Sequence, residues 1–117
     1  MDEKILLRIN SLLGHIDDVL RDTSSLSLTD FKKSDLLLRA TCFSIAQIGE
    51  QRTKLETYLG PRYPHLPWKA ARNMRNIIIH DYGRADADQI FQTIKNDLPV
   101  LKTSFLSIKD DLCKESD

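Results

Sequence analysis

The stretch DLLLRATCFSIAQIGEQRTKL, residues 35–55, decides the fold. It carries Leu36, Leu37, Leu38, Ala40, Cys42, Phe43, Ile45, Ala46 and Ile48 without a proline and without period-2 alternation. Such a run is helical, and its apolar residues fall on more than one side. The helix therefore belongs at the centre of a bundle. Gly49 inside it either admits another backbone closely or is tolerated at a cost of roughly 1 kcal/mol.

Upstream, Ile5, Ile9, Leu12, Ile16 and Val19 recur at steps of four and three, with Leu6, Leu13 and Leu20 in the neighbouring row. This predicts an amphipathic helix over residues 2–21, ended by Asp22-Thr23-Ser24-Ser25, whose side chains favour bonds to their own backbone. A second helix is expected to start near Thr29 or Asp30, both competent N-caps, with a break at Lys32-Lys33-Ser34.

Downstream, Gly60-Pro61-Arg62-Tyr63-Pro64-His65-Leu66-Pro67 is a loop. Pro67 suits the first turn of a helix running from Trp68 to about Tyr82, with Gly83 as its C′ residue. Asp86 can cap a last helical region in which Ile90, Ile94, Leu98, Leu101, Phe105, Ile108 and Leu112 repeat at steps of four and three. Pro99 interrupts that stripe and is expected to kink the helix or divide it in two. The expected fold is all-α: one domain over residues 1–117, an antiparallel bundle of four to five helices.

With 117 residues the chain can bury a core without disulfide or metal support. Cys42 and Cys113 have no CxxC spacing and fit free thiols in a reducing compartment. The start, Met1-Asp2-Glu3-Lys4, lacks an apolar leader, and no stretch approaches a membrane span, so a cytoplasmic protein is expected. A net charge of zero argues against a general nucleic-acid coat. The distribution is uneven, however. Arg52, Lys54, Arg62, Lys69, Arg72 and Arg75 are opposed between positions 52 and 75 only by Glu56, whereas residues 85–117 hold seven acids and four lysines. A basic middle points to an anionic ligand; a solvated mixed surface explains the same numbers.

The residues with chemistry cluster late in the helix that starts at Trp68, as Arg75-Asn76-Ile77-Ile78-Ile79-His80-Asp81-Tyr82. On an ideal helix Arg75 and Tyr82 lie within about 20° of each other, and His80 lies about 140° from Arg75. Convergence of Arg75 and His80 thus asks for an unwound last turn or a second subunit. A histidine near neutral pKa can move protons during attack of a ribose 2′-OH on its phosphate. An arginine supplies a fixed charge and paired donors to that phosphate. Lys69, Arg72 and Arg75, at three-residue steps, can add phosphate contacts, or Lys69 and Arg72 can be solvated. Spacing alone equally allows His80 and Tyr82 to cap helix carbonyls. His15 and His65 have no ligand-like spacing, and the chemistry calls for neither metal nor cofactor.

Ile48-Gly49-Glu50, Leu66-Pro67-Trp68-Lys69, Met74-Arg75-Asn76, His80-Asp81-Tyr82 and Asp97-Leu98-Pro99 appear in an order that resembles the HEPN superfamily, in its HepT-like branch. The resemblance covers roughly residues 2–110. Arg-x4-His alone is a weak pattern; the ordered set is specific. The resemblance implies a metal-independent endoribonuclease, the toxin of a type VII toxin–antitoxin module, with two motifs lining the cleft of a homodimer. Carried over by position, Arg75 and His80 would be catalytic, with Asn76 and Asp81 orienting them or the RNA. Tyr82 would accept AMP from an MntA-like nucleotidyltransferase antitoxin. Glu50 would support the motif, sit in the partner interface, or be a solvated charge. Trp68 is expected as a core or interface anchor in preference to a base-stacking platform. The alternative of another class is a non-catalytic HEPN subunit that presents substrate to a minimal nucleotidyltransferase. An unrelated structural bundle would explain the stripes but not the motif set.

Overall fold

A computed structural model describes residues 3–81 and 86–115, with side chains of the fourth helix described through Met74. Five helices follow one another: α1 (Glu3–Thr23), α2 (Leu28–Lys33), α3 (Asp35–Leu59), α4 (Trp68–Asp81) and α5 (Ala87–Glu115). The described residues contain no strand. No described helix is long and apolar enough to cross a membrane.

Helix α3 packs against α1, α2 and α4, and α5 closes the bundle against α1, α2 and α4. The central place expected for residues 35–55 is therefore observed. Ile45, Ile48 and Leu55 are buried on α3, as are Ile9, Leu12 and Ile16 on α1 and Ile94, Leu98 and Phe105 on α5. Not every apolar residue of α3 goes inside: Leu36 and Phe43 stay exposed. Gly49 is buried in α3.

The second helix starts earlier than expected. Ser27, not Thr29 or Asp30, is its N-cap, and Asp30 occupies the third helical position. Ser27 Oγ accepts from the Asp30 amide at 3.1 Å while the Asp30 carboxylate accepts from the Ser27 amide at 3.2 Å. This reciprocal pair satisfies two end donors at once, which a cap at Thr29 would not. The bond from the Ser27 amide holds the Asp30 carboxyl below its usual range. Ser34 ends α2 and caps α3 through its Oγ, which accepts from the Leu37 amide at 3.1 Å.

At the last helix Asp86 caps as expected, its Oδ1 accepting from the Asp88 and Gln89 amides at 3.0 and 3.2 Å. Pro99 does not divide the helix: α5 runs through it for 29 residues. Leu98 and Leu101 are buried on either side, and Pro99 itself is exposed. The carbonyl that loses its partner thus lies toward water, where the loss is cheapest. Cys42 and Cys113 are free thiols, buried and exposed respectively; burial pushes the Cys42 thiol up.

Loop 60–67 is strapped to α5. The Tyr63 hydroxyl donates to Asp111 Oδ2 at 2.6 Å, and Arg62 pairs with Glu115. Desolvation, aided by the Asp111 bond, raises the Tyr63 phenol above its ordinary value. Trp68 then opens α4 as a buried anchor. Its ring meets Phe105 edge-on with centroids 5.7 Å apart, and Nε1 donates to the Tyr63 carbonyl at 2.9 Å. Phe105 is fully buried beneath it. Phe105→Ala should lower the free energy of unfolding by roughly 3–5 kcal/mol, read from urea denaturation at constant slope.

Candidate ribonuclease site

Helix α4 is positioned by a narrow buried stripe. Trp68, Ala71 and Met74 enter the core, while Lys69, Arg72 and Asn73 are exposed. Arg75, Asn76, His80 and Asp81 follow on the same continuous helix, beyond the last described buried side chain. Their side chains, the whole of Tyr82 and the C′ assignment of Gly83 lie outside the described residues. Glu50 is exposed on α3.

Helical geometry relates the motif positions to those that are described. Taking the direction of position 72 as zero and about 100° per residue, position 75 lies near −60°, 76 near +40° and 80 near +80°. Buried position 71 lies near −100° and exposed position 69 near +60°. Position 75 therefore stands between the core and the Arg72 direction, while 69, 76 and 80 share the outer face. Lys69, Arg72 and Arg75 wind across the helix, about 60° per step, and do not run along one line.

The Arg72 direction is fixed by α3. Arg72 Nη1 meets Glu56 Oε2 at 2.6 Å, and the other oxygen of Glu56 meets Arg52 Nη1 at 2.9 Å. Arg52 is only 6% exposed. Its Nη2 donates to Thr53 Oγ1 at 2.7 Å, and Thr53 Oγ1 donates to the Gly49 carbonyl at 2.9 Å. Among the described residues Arg52 Nε has no partner. Glu56 thus bridges two helices and two arginines. The turn after it is closed by Gly60, where a Cβ would lie 2.5 Å from the Glu56 carbonyl oxygen.

This bridge rewrites the charge map expected from the sequence. Arg52 is a buried structural cation, Arg72 is committed to Glu56, and Arg62 is bound to the acidic end of α5. Lys54 and Lys69 remain exposed. The roles of Arg52 and Glu56 were missed in the sequence, where both were counted only as charges. The signal available was the four-residue spacing of Arg52 and Glu56, with Glu56 the sole acid in a basic run.

Two surface depressions lie between α1 and α3, one beside Leu7, Arg8 and Gln51 and one beside His15, Thr41 and Phe43. Neither includes a residue of α4. Among the described residues no three His, Cys, Asp or Glu gather as metal ligands, a search that did not reach every motif side chain.

An all-α bundle of this helix order, with Arg-x4-His on its fourth helix, is a HEPN-type domain. The ribonuclease HepT-like family matches residues 12–108, from the middle of α1 to near the end of α5. The chain belongs to the ribonuclease HepT-like family. It is 29% identical to "Putative RNase MJ0125" of Methanocaldococcus jannaschii over 86% of this chain and 87% of that protein. It is 29% identical to "Probable ribonuclease HepT" of Thermococcus cleftensis over 70% of this chain and 71% of that protein. A third relative, "Gamma-glutamylcyclotransferase and putative RNase MJ0434" of Methanocaldococcus jannaschii, is 31% identical over 97% of this chain, which spans 51% of its length. No solved structure matches the chain.

Breaking the Glu56 bridge leaves Arg52 buried and uncompensated. Glu56→Ala should destabilise the protein by roughly 3 kcal/mol. Arg39→Ala, which removes only the exposed pair with Asp35, should cost under about 1 kcal/mol. Chemical denaturation of the two variants side by side checks the difference.

Proposed function

We propose that this protein is a metal-independent endoribonuclease toxin that cuts RNA with Arg75 and His80. It works in the cytoplasm and is switched off by AMP transfer to Tyr82. The observation that carries the reading is the Arg75-x4-His80 motif on α4 of a chain that belongs to the ribonuclease HepT-like family.

In the proposed step the ribose 2′-oxygen attacks the adjacent phosphorus and the bond from phosphorus to the 5′-oxygen breaks. A proton leaves the 2′-hydroxyl and another reaches the departing 5′-oxygen, giving a cyclic phosphate and a free 5′-hydroxyl. His80 moves a proton, and Arg75 supports the charge that builds on the phosphorane oxygens. The divergence of positions 75 and 80 by about 140° is met by a homodimer, in which two motifs share one cleft. Asn76 and Asp81 orient the motif or the RNA, and Glu50 supports it from α3. Lys69 on the outer face contacts phosphate; Arg72 joins it where RNA draws it from Glu56.

The partner in this reading is an MntA-like nucleotidyltransferase. AMP on Tyr82 adds a bulky nucleoside and a negative phosphodiester two residues from His80, which blocks RNA sterically and repels its phosphates.

Arg75→Ala or His80→Ala should lower cleavage of a single-stranded RNA by at least about 100-fold. Wild-type cleavage should persist in EDTA. Equal cleavage by the variants, or strict dependence on added metal, would falsify the assignment. With the partner enzyme and ATP, intact-mass measurement should show AMP added to the wild type and none to Tyr82→Phe; undiminished labelling of that variant removes Tyr82 as the acceptor.

A further inference from the structure

Arg52 is a buried cation to which the motif chemistry gives no role. Stability does not explain it, because an apolar side chain of similar volume would occupy the same space without desolvating a charge. Two of its donors are nevertheless committed, one to Glu56 and one through Thr53 to the Gly49 carbonyl. Glu56 carries the connection across to Arg72 on α4. A continuous polar chain therefore runs from the α3 backbone to the first half of α4, ending one turn before Arg75 and Asn76.

We infer that Arg52 and Glu56 are positioning residues of the cleavage site, which fix the rotation of α4 and hence the directions of Arg75 and His80. This inference rests on the ribonuclease reading above. The Glu56 carboxylate is held at both oxygens, one by each arginine, so it has a single orientation. Arg72 is held in turn, and its direction lies between those of positions 75 and 80, near −60° and +80° from it. A rotation of α4 by about 10° would swing a group some 6 Å from the helix axis through about 1 Å. Displacement of that size at a reacting centre costs on the order of 100-fold in rate. The apolar contacts of Trp68, Ala71 and Met74 do not set rotation so tightly, since the stripe slides with little loss of buried area.

The test compares the wild type with Arg52→Met, Arg52→Lys and Glu56→Gln. Each is measured for thermal midpoint, for kcat and KM on an RNA oligonucleotide, and for amide hydrogen exchange over residues 75–81 against α1. Arg52→Met should keep or raise the midpoint, lower kcat by at least about 10-fold with KM within about twofold, and speed exchange in α4 alone. Arg52→Lys, which keeps the charge and loses the fork, and Glu56→Gln, which keeps one acceptor oxygen, should fall between. Wild-type kcat and exchange in folded Arg52→Met overturn the inference. If that variant does not fold, wild-type values in Arg52→Lys overturn it. A wild-type protein that cleaves no RNA defeats the ribonuclease reading instead. In that case exchange decides the positioning role: faster exchange in α4 supports it, and unchanged exchange overturns it.

Discussion

Helix α4 depends on the seam it shares with α3. Fourteen residues make a helix that is marginal in water by itself, so it persists because neighbouring elements hold it. Its described apolar contribution is small, three buried side chains in the first seven residues. The rest of the hold is polar and directional: Glu56 from α3 takes Arg72, while the Trp68 indole takes the loop carbonyl of Tyr63. Tyr63 is tied in turn to Asp111 on α5. The first half of α4 is thus fixed from two sides, and the motif is projected from its second half.

The apolar patterns were sufficient for the elements. Steps of four and three in residues 5–19 and 90–112 correspond to buried faces of α1 and α5, because a core selects for that period directly. Capping was read less well. Thr29 and Asp30 have the right chemistry, but Ser27 wins because it completes a reciprocal pair with Asp30, and a residue-by-residue scan does not weigh pairs. Pro99 misled in the opposite sense. The cost of an interior proline is local, whereas the burial of Leu98, Leu101 and Phe105 acts along the whole of α5 and keeps it continuous. Within the site, the positions of Arg75 and His80 on one helix were legible from spacing. The Arg52–Glu56–Arg72 bridge was not, because its third member comes from another helix and pairing across helices leaves no mark in local sequence.

The same bridge explains how a chain of zero net charge can belong to a ribonuclease family. Counting charges along the sequence makes residues 52–75 a basic block. In three dimensions the block divides, with Arg52 inside, Arg62 against the acidic end of α5 and Arg72 beside Glu56. The cations left exposed and not paired in this way, Lys54 and Lys69, stand on α3 and α4, the two helices of the seam. Little positive charge is spread over the rest of the surface to attract nucleic acid at random. Under the proposed reading, attraction is concentrated beside the motif, where cleavage would use it.

Arg72 is the point at which folding and RNA binding meet. Its guanidinium is about half exposed yet bonded to Glu56. A phosphate arriving beside α4 would compete with that carboxylate for the same donors. A carboxylate already bound to Arg52 is the weaker competitor for a second arginine, because part of its charge is spent. Arg72 can therefore share its donors with a phosphate while Glu56 stays anchored on Arg52. Without Arg52, Glu56 would follow Arg72 or repel the phosphate with its full charge. The buried arginine lets one carboxylate hold α4 in place and still tolerate an anion beside it.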